Sequence, residues 1–429
     1  MMAPFVATAI AVVTLVLIFS GKLNHTIAAM AGAMVMLGAG MTLGFYSESQ
    51  AIEAIEFDAL GLLLGMMILV SILEPTGFFQ YLAIKAGQLS RGNPWRLMLL
   101  LGLGTAGLSL FFNNVTTVVL MGPVTILITE LLGLPPTPFL MAQALLSDTA
   151  DIGTSVGDPA SVLVAAASGY SFTDFLTHVM PIVIVATMVT LVMLRYLFSR
   201  ELAIRPANPK AVLNIDADEA LHNRPVLRRV LIVLAVAIGL FVLQGRLHLS
   251  SGFIALSASA VALVWVRPDI RKVLVGVDWP VLLFLFGLFV LVGGLEESGA
   301  FEPIIEVLAK LGHNNPLLLG VTIIWVVAGL SALVDNVPVT IAMIALLEGL
   351  AAAGIDVSAL WWAVVLGAGF GGNATSVGSA ANIVIVSLSE RTKTPITPKL
   401  WSKRGLPVAL ATCIVGSILF ALAFPWLGR

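Results

Sequence analysis

The sequence predicts an all-α polytopic membrane protein built as two inverted repeats. Three observations carry that expectation. Of the 429 residues, 59% are hydrophobic and only 11% charged, against about 25% charged in an ordinary soluble domain. Apolar runs near the ~20 residues needed to span a bilayer recur from one end of the chain to the other. Three motifs of the first half also return in the second at a nearly constant spacing.

Taken in order, the chain opens MMAPFVATAI, apolar at once and without a basic leading segment. Residues 3–20 therefore read as a first membrane helix and not a cleaved signal. Apolar segments follow at 25–45, 58–74, 94–112, 117–133, 139–168, 172–198, 230–245, 250–266, 280–296, 316–354, 359–388 and 405–427. Residues 76–91 and 299–313 have the look of interfacial amphipathic helices. The one long hydrophilic stretch, 199–229, is too short and too polar for a domain and reads as a cytoplasmic linker. It separates a first membrane repeat, 1–198, from a second, 230–429.

The halves match motif by motif. LEPTGFF at 73–79 returns as LEESGAF at 295–301, FNNV at 112–115 as VDNV at 334–337, and TSVGDPAS at 154–161 as TSVGSAAN at 375–382. The spacing is 222 residues for Glu74 to Glu296 and for Asn113 to Asp335, and 221 for Thr154 to Thr375. If 94–133 and 316–354 are re-entrant hairpins, each returns the chain to the side it left. Each half then has about five spanning helices, one of them interrupted (139–168 and 359–388), plus the hairpin. An odd number of crossings inverts the second repeat relative to the first. On this path one face receives all but Arg246, Lys310 and Arg429 of the 22 basic residues, from Lys22 through the linker to the ERTKTPITPKLWSKR loop. The positive-inside rule makes that face cytoplasmic and puts both termini outside.

The motifs concentrate polar groups where apolar ones are expected. Asn113 and Asn114 lie in FFNNVTT, between apolar arms with no charged turn, and Asp335 and Asn336 hold the matching place. Unpaired amides in hydrocarbon are costly. A helix-capping role accounts for part of this; two hairpin tips meeting near the midplane around a substrate account for all of it. Thr116 and Thr117 adjoin the first tip. Further on, SDTADIGTSVGDPAS places Asp148, Asp151 and Asp158 with Thr154 and Ser155 among glycines and a proline. Its mate, GAGFGGNATSVGSAAN, offers Asn373, Thr375, Ser376 and Asn382. Glycine and proline break helices and free backbone groups, as in the discontinuous helices of secondary transporters. Close helix packing explains the glycines but not the three acids.

Substrate class follows from charge. Asp148, Asp151, Asp158 and Asp335 are the candidate deep acids and proton carriers, and no Lys or Arg lies in either hairpin or interrupted helix. A dianion finds no cationic partner there, whereas a proton, a cation or a neutral polyhydroxylated solute is compatible. Glu74 and Glu296 read as structural, and Glu130 and Glu348 as water-facing ends of the hairpins. His25, His178, His222, His248 and His313 show no metal-ligand spacing. Cys413 is the only cysteine, which excludes disulfide frameworks and thiolate cages. No phosphate loop, catalytic triad or basic nucleic-acid tract is present, so neither an enzyme nor a cofactor is expected.

At these residues the chain resembles the ion transporter superfamily, and within it the group of arsenical-resistance efflux permeases, NhaD-type sodium/proton antiporters and the melanosomal P protein. SDTAD at 147–151 and the chain length resemble the arsenite permeases most. Many relatives carry Gly-Gly where this chain has Ala150-Asp151. The resemblance implies export of arsenite or antimonite, as the neutral trihydroxide, in exchange for protons across a prokaryotic plasma membrane. A sodium/proton antiporter is the close alternative. A sodium-coupled carboxylate importer, or the membrane subunit of a pump driven by a soluble arsenite-stimulated ATPase, stands further off. Membrane lipid is a necessary partner, and a homodimer is compatible with the group.

Overall fold

The computed structural model describes residues 2–19, 23–209 and 211–428. Lys22 and Arg429, two of the basic positions used for sidedness, and Lys210 of the linker lie outside the described residues. Every regular element among the described residues is helical. Eight helical stretches among them are long and apolar enough to cross a membrane.

The first half runs α1 (Met2–Phe19), α2 (His25–Leu43), α3 (Glu48–Glu53), α4 (Phe57–Leu73), α5 (Phe78–Ser90), α6 (Pro94–Ser109), α7 (Asn114–Leu132), α8 (Thr137–Ala150), α9 (Pro159–Ser168), α10 (Phe172–Asp174) and α11 (Met180–Leu197). A short α12 (Ser199–Leu202) opens the linker. The second half runs α13 (Arg224–Leu247), α14 (Ser251–Val266), α15 (Ile270–Val275), α16 (Trp279–Glu297), α17 (Glu302–Asn314), α18 (Pro316–Leu333), α19 (Asn336–Ala352), α20 (Ser358–Gly372), α21 (Ala380–Ser389) and α22 (Pro398–Leu427). The six-residue helices α3 and α15 are mates at the same spacing as the motifs, although no sequence motif marks them. α13 begins inside the stretch read as linker, because Asn223 caps it and Pro225 occupies its first turn.

Packing repeats the pairing with the halves exchanged. α4 lies on α14 and α16 lies on α2. The mates Gly65 and Gly287 allow this approach: a side chain on Gly65 would run into the backbone of Ala255, and one on Gly287 into that of Ala29. Small residues at such contacts let membrane helices meet closely.

The inversion is visible at the two ends of α4. One cavity is bordered by Glu53 and Glu56, just ahead of α4, and by Glu296 and Glu297, at the end of α16. Another is bordered by Glu74 and Thr76, just past α4, and by Val275 and Gly276, just ahead of α16. The mates α4 and α16 therefore run in opposite directions. Nineteen residues of α16 at 1.5 Å each cover about 28 Å, close to the hydrocarbon thickness of a bilayer.

The hairpins sit beside this scaffold. α5 packs on α6 and α7, and its mate α17 packs on α18 and α19. The linker lies across the first hairpin. Ala207 N donates to Leu132 O at 2.9 Å and His222 N to Thr76 O at 3.1 Å. Gln88 Nε2 donates to Ile215 O at 2.7 Å. Glu201 pairs with Arg404 at 3.1 Å, which joins the linker to α22.

Candidate functional site

Both hairpins turn within a few residues. α6 ends at Ser109 and α7 starts at Asn114, and α18 ends at Leu333 with α19 starting at Asn336. Asn113 caps α7, its Oδ1 accepting from Val115 N at 2.8 Å. Asp335 holds the corresponding place before α19 without a side-chain cap. The two interrupted helices break where the glycines stand. α8 gives way to a 3₁₀ turn over Asp151–Gly153 and resumes as α9 at Pro159, while α20 stops at Gly372 and α21 starts at Ala380. Asp158 caps α9 through Ala160 N at 2.9 Å. Its mate Ser379 caps α21 through Ala381 N at 3.3 Å.

Tips and breaks meet. Asn113, Asn114, Asp335 and Asn336 line one cavity of about 60 Å³ together with Asp158, Pro159, Ser379 and Ala380. Val281, Phe284 and Leu285 of α16 form its apolar wall. Four helix N-termini, those of α7, α9, α19 and α21, converge here. The contacts cross between halves, since α7 packs on α21 and α19 on α9.

Behind the cavity the acids form a buried network. The Asn114 amide donates to Asp148 Oδ1 at 3.0 Å and to Asp151 Oδ2 at 2.8 Å, so one NH₂ group bridges two carboxyl groups. Ser379 donates to Asp148 Oδ1 at 3.0 Å. Asn336 donates to Asp158 Oδ1 and Oδ2 at 3.1 and 3.2 Å. Asp148, Asp151 and Asp158 are all buried, while Asp335 is half-buried at the cavity. Asp148 Oδ2 and Asp151 Oδ1 have no hydrogen-bond partner among the described residues.

The other expected site residues lie outside the cavity wall, and several brace it. Thr154 donates to Leu110 O at 2.5 Å, and its mate Thr375 donates to Ala332 O at 2.6 Å. Each thus fastens a helix break to the hairpin of its own half. Thr117 donates to Asn113 O at 3.1 Å. Asn382 holds the second break through Gly372 O and Thr375 O at 2.9 and 3.1 Å. Asn373 ties the same break to α8 through Thr149 Oγ1 at 3.0 Å. Thr116 and Ser376 are half-buried, and Ser155 is fully buried.

Sequence reasoning passed over Ser379. Aligning TSVGSAAN on TSVGDPAS puts it opposite Asp158, so the signal was present. Nothing in the sequence marks Val281, Phe284 and Leu285, which are ordinary apolar residues of a spanning helix.

The comparisons with known proteins fit this architecture. The sequence pattern of CitMHS, described as citrate transporter, matches residues 15–367. A 46 kDa membrane protein of Mycobacterium leprae is 34% identical over 425 residues, covering 98% of each chain. An uncharacterized transporter of Mycobacterium tuberculosis is 34% identical over 414 residues, 95% of this chain and 96% of its own. The P protein of Mus musculus is 30% identical over 97% of this chain and 60% of its own length. The crystal structure of the Alcanivorax borkumensis YdaH transporter aligns with a TM-score of 0.60 over 94% of this chain and 99% of that one, at 14% identity, a likeness of fold. The chain belongs to the CitMHS family of the ion transporter superfamily and is a multi-pass membrane transporter, not an enzyme.

Proposed function

We propose that the chain is a secondary active transporter that exports arsenite or antimonite, as the neutral trihydroxide, in exchange for protons. The observation that carries this reading is the charge balance around the hairpin tips. No Lys or Arg lines the cavity among the described residues, while Asp158 and Asp335 do, with Asp148 and Asp151 directly behind. Each of the four helix N-termini contributes roughly half a positive charge, so together they offset about two carboxylates. The site is near neutral when two of its four acids hold protons. A neutral hydroxylated solute can then bind without adding charge, and protons can load and leave in its absence.

Cavity size supports the same class. About 60 Å³ corresponds to roughly two waters at ~30 Å³ each, which suits a solute of a few atoms. Amides, carboxyl groups and the Ser379 hydroxyl offer both donors and acceptors to its hydroxyl groups. In this reading the linker side is cytoplasmic and both termini are outside. The repeats 1–198 and 230–429 exchange access by moving hairpins and broken helices against the α2, α4, α14 and α16 scaffold.

Two other readings have observations in their favour. The family's description and the four helix N-termini favour a carboxylate such as citrate. Free citrate is several times larger than the cavity and would face unpaired acids. Sodium is favoured by the carboxyl, amide and hydroxyl oxygens. Everted membrane vesicles separate the three. With an acidic lumen, labelled arsenite should accumulate, should be released by a protonophore and should not depend on sodium. Accumulation of labelled sodium or citrate instead, with no arsenite uptake, overturns the proposal.

A further inference from the structure

A second polar cavity, of about 260 Å³, lies between α3, α16 and α19. It shares no lining residue with the cavity at the hairpin tips. Five glutamates line it: Glu53 and Glu56 ahead of α4, Glu296 and Glu297 at the end of α16, and Glu348 on α19. No Lys, Arg or His lines it among the described residues. Under the internal symmetry its counterpart at the other end of α4 is bordered by Arg267, Lys272 and His222 as well as Glu74 and Asp269. The concentration of acid is therefore particular to this mouth and does not follow from the repeat.

Acidic surface alone is ordinary; Tyr46 is what distinguishes this cavity. Its side chain is 2% exposed, lines the cavity, and its hydroxyl has no hydrogen-bond partner among the described residues. Gly293, also in the wall, lets that hydroxyl pack close to the α16 backbone, where a side chain would stand 2.8 Å from it. A buried phenol without a partner loses hydrogen-bond energy unless something in the cavity supplies one. Burial, then the carboxylates of Glu297 and Glu296, push the Tyr46 phenol well above its usual range. Burial, then Asp58, holds Glu56 above the usual carboxylate range. Burial is the larger cause of both shifts, and the neighbouring carboxylates add to it a negative field that a cation would relieve.

We infer that this mouth binds a hydrated inorganic cation, divalent in preference to monovalent, held by Glu296, Glu297 and Glu348 with Tyr46 at its base. The carboxylates do not converge three at a time on one point, so the ion is not stripped of its water. At roughly 30 Å³ per water, 260 Å³ holds about nine, enough for an ion with its inner shell. The phenol oxygen accepts from that shell. Glu348 stands on the hairpin arm α19 and Glu296 and Glu297 on α16, so a bound cation ties the second hairpin to its neighbour. The site stands whether or not the arsenite reading holds.

Terbium(III) alone, added to the purified full chain in detergent, is the probe, because its emission is sensitised by a nearby tyrosine. Binding should saturate, and calcium should displace it at a concentration at least tenfold below potassium at matched ionic strength. Tyr46→Phe should reduce the sensitised emission. The pair Glu296→Gln and Glu348→Gln should weaken binding at least tenfold. Neutralising two exposed acids elsewhere, Glu219→Gln with Glu390→Gln, should not. Equal displacement by calcium and potassium on the unaltered chain shows screening only and overturns the site, without needing any variant to fold. Equal loss in the two double variants overturns it as well.

Discussion

Asn336 donates its side-chain amide to both carboxyl oxygens of Asp158, at 3.1 and 3.2 Å, across the boundary between the two halves. Asp158 at the same time caps α9. One residue pair thus joins the tip of the second hairpin to the break of the first interrupted helix.

Removing that amide should be costly. Asn336→Ala leaves the buried Asp158 with only backbone donors, and a hydrogen bond to a charged group is worth about 1.5–3 kcal/mol. Thermal unfolding in detergent should shift down, and transport should fall at least tenfold. An unchanged unfolding midpoint would show that water replaces the amide at no cost.

The paired acids carry the coupling prediction. Asp148→Asn and Asp151→Asn each keep an oxygen that can accept from Asn114 but remove a titrating group. Gradient-driven export should drop more than tenfold in at least one of them, while substrate exchange without a gradient persists. If Asn variants at 148, 151, 158 and 335 all export normally, the coupling group lies elsewhere. Full activity of Asp151→Asn alone would mark that acid as a local departure without a part in the cycle.

The helix breaks are held closed by two mated glycines. A side chain on Gly157 would collide with the carbonyls of Ser109 and Asp151, and one on Gly378 with those of Gly372 and Ser331. Overpacking of this kind costs about 1–3 kcal/mol. Gly157→Ala and Gly378→Ala should each lower the unfolding temperature and abolish transport. Gly104→Ala meets open space and should do neither.

The linker's hold on the first hairpin is open to proteolysis. Gly77 has φ of 79°, and a side chain there would strike the carbonyl oxygen of Ala220. The left-handed conformation adds a penalty of roughly 1–2 kcal/mol for alanine. Gly77→Ala should loosen 211–222 and raise its cleavage rate by a soluble protease several-fold. Cleavage at the rate of the unaltered chain would show that the other contacts, through Leu132 and Gln88, suffice.

Much of this molecule was legible before folding was considered. Constant spacing between LEPTGFF and LEESGAF, and between FNNV and VDNV, revealed the repeat, because mated hairpins need the same turn residues in both halves. Glycine, proline and aspartate inside an apolar run marked the helix breaks, because hydrocarbon tolerates them only where backbone is re-satisfied. Ser379 is readable only from its alignment with Asp158, because serine is common in membrane helices and does not stand out there.

The sequence by itself determined which residues are polar at depth, that they come in mated pairs, and that the acids have no basic partner. Those properties are local or periodic, and burial in a bilayer makes carboxyl and amide side chains conspicuous. Only the tertiary structure decided which pairs touch. Asn114 reaches Asp148 and Asp151 within its own half, whereas its mate Asn336 reaches across to Asp158. That difference arises because, at the spacing of 221, position 148 is mated with Gly369 and position 151 with Gly372, so the acids are asymmetric on a symmetric frame. The apolar wall of Val281, Phe284 and Leu285, and the acidic mouth with Tyr46 at its base, were likewise settled by packing. The wall faces the tips, and the residues of the mouth, which span 46 to 348, come together, only when helices distant in sequence pack on one another.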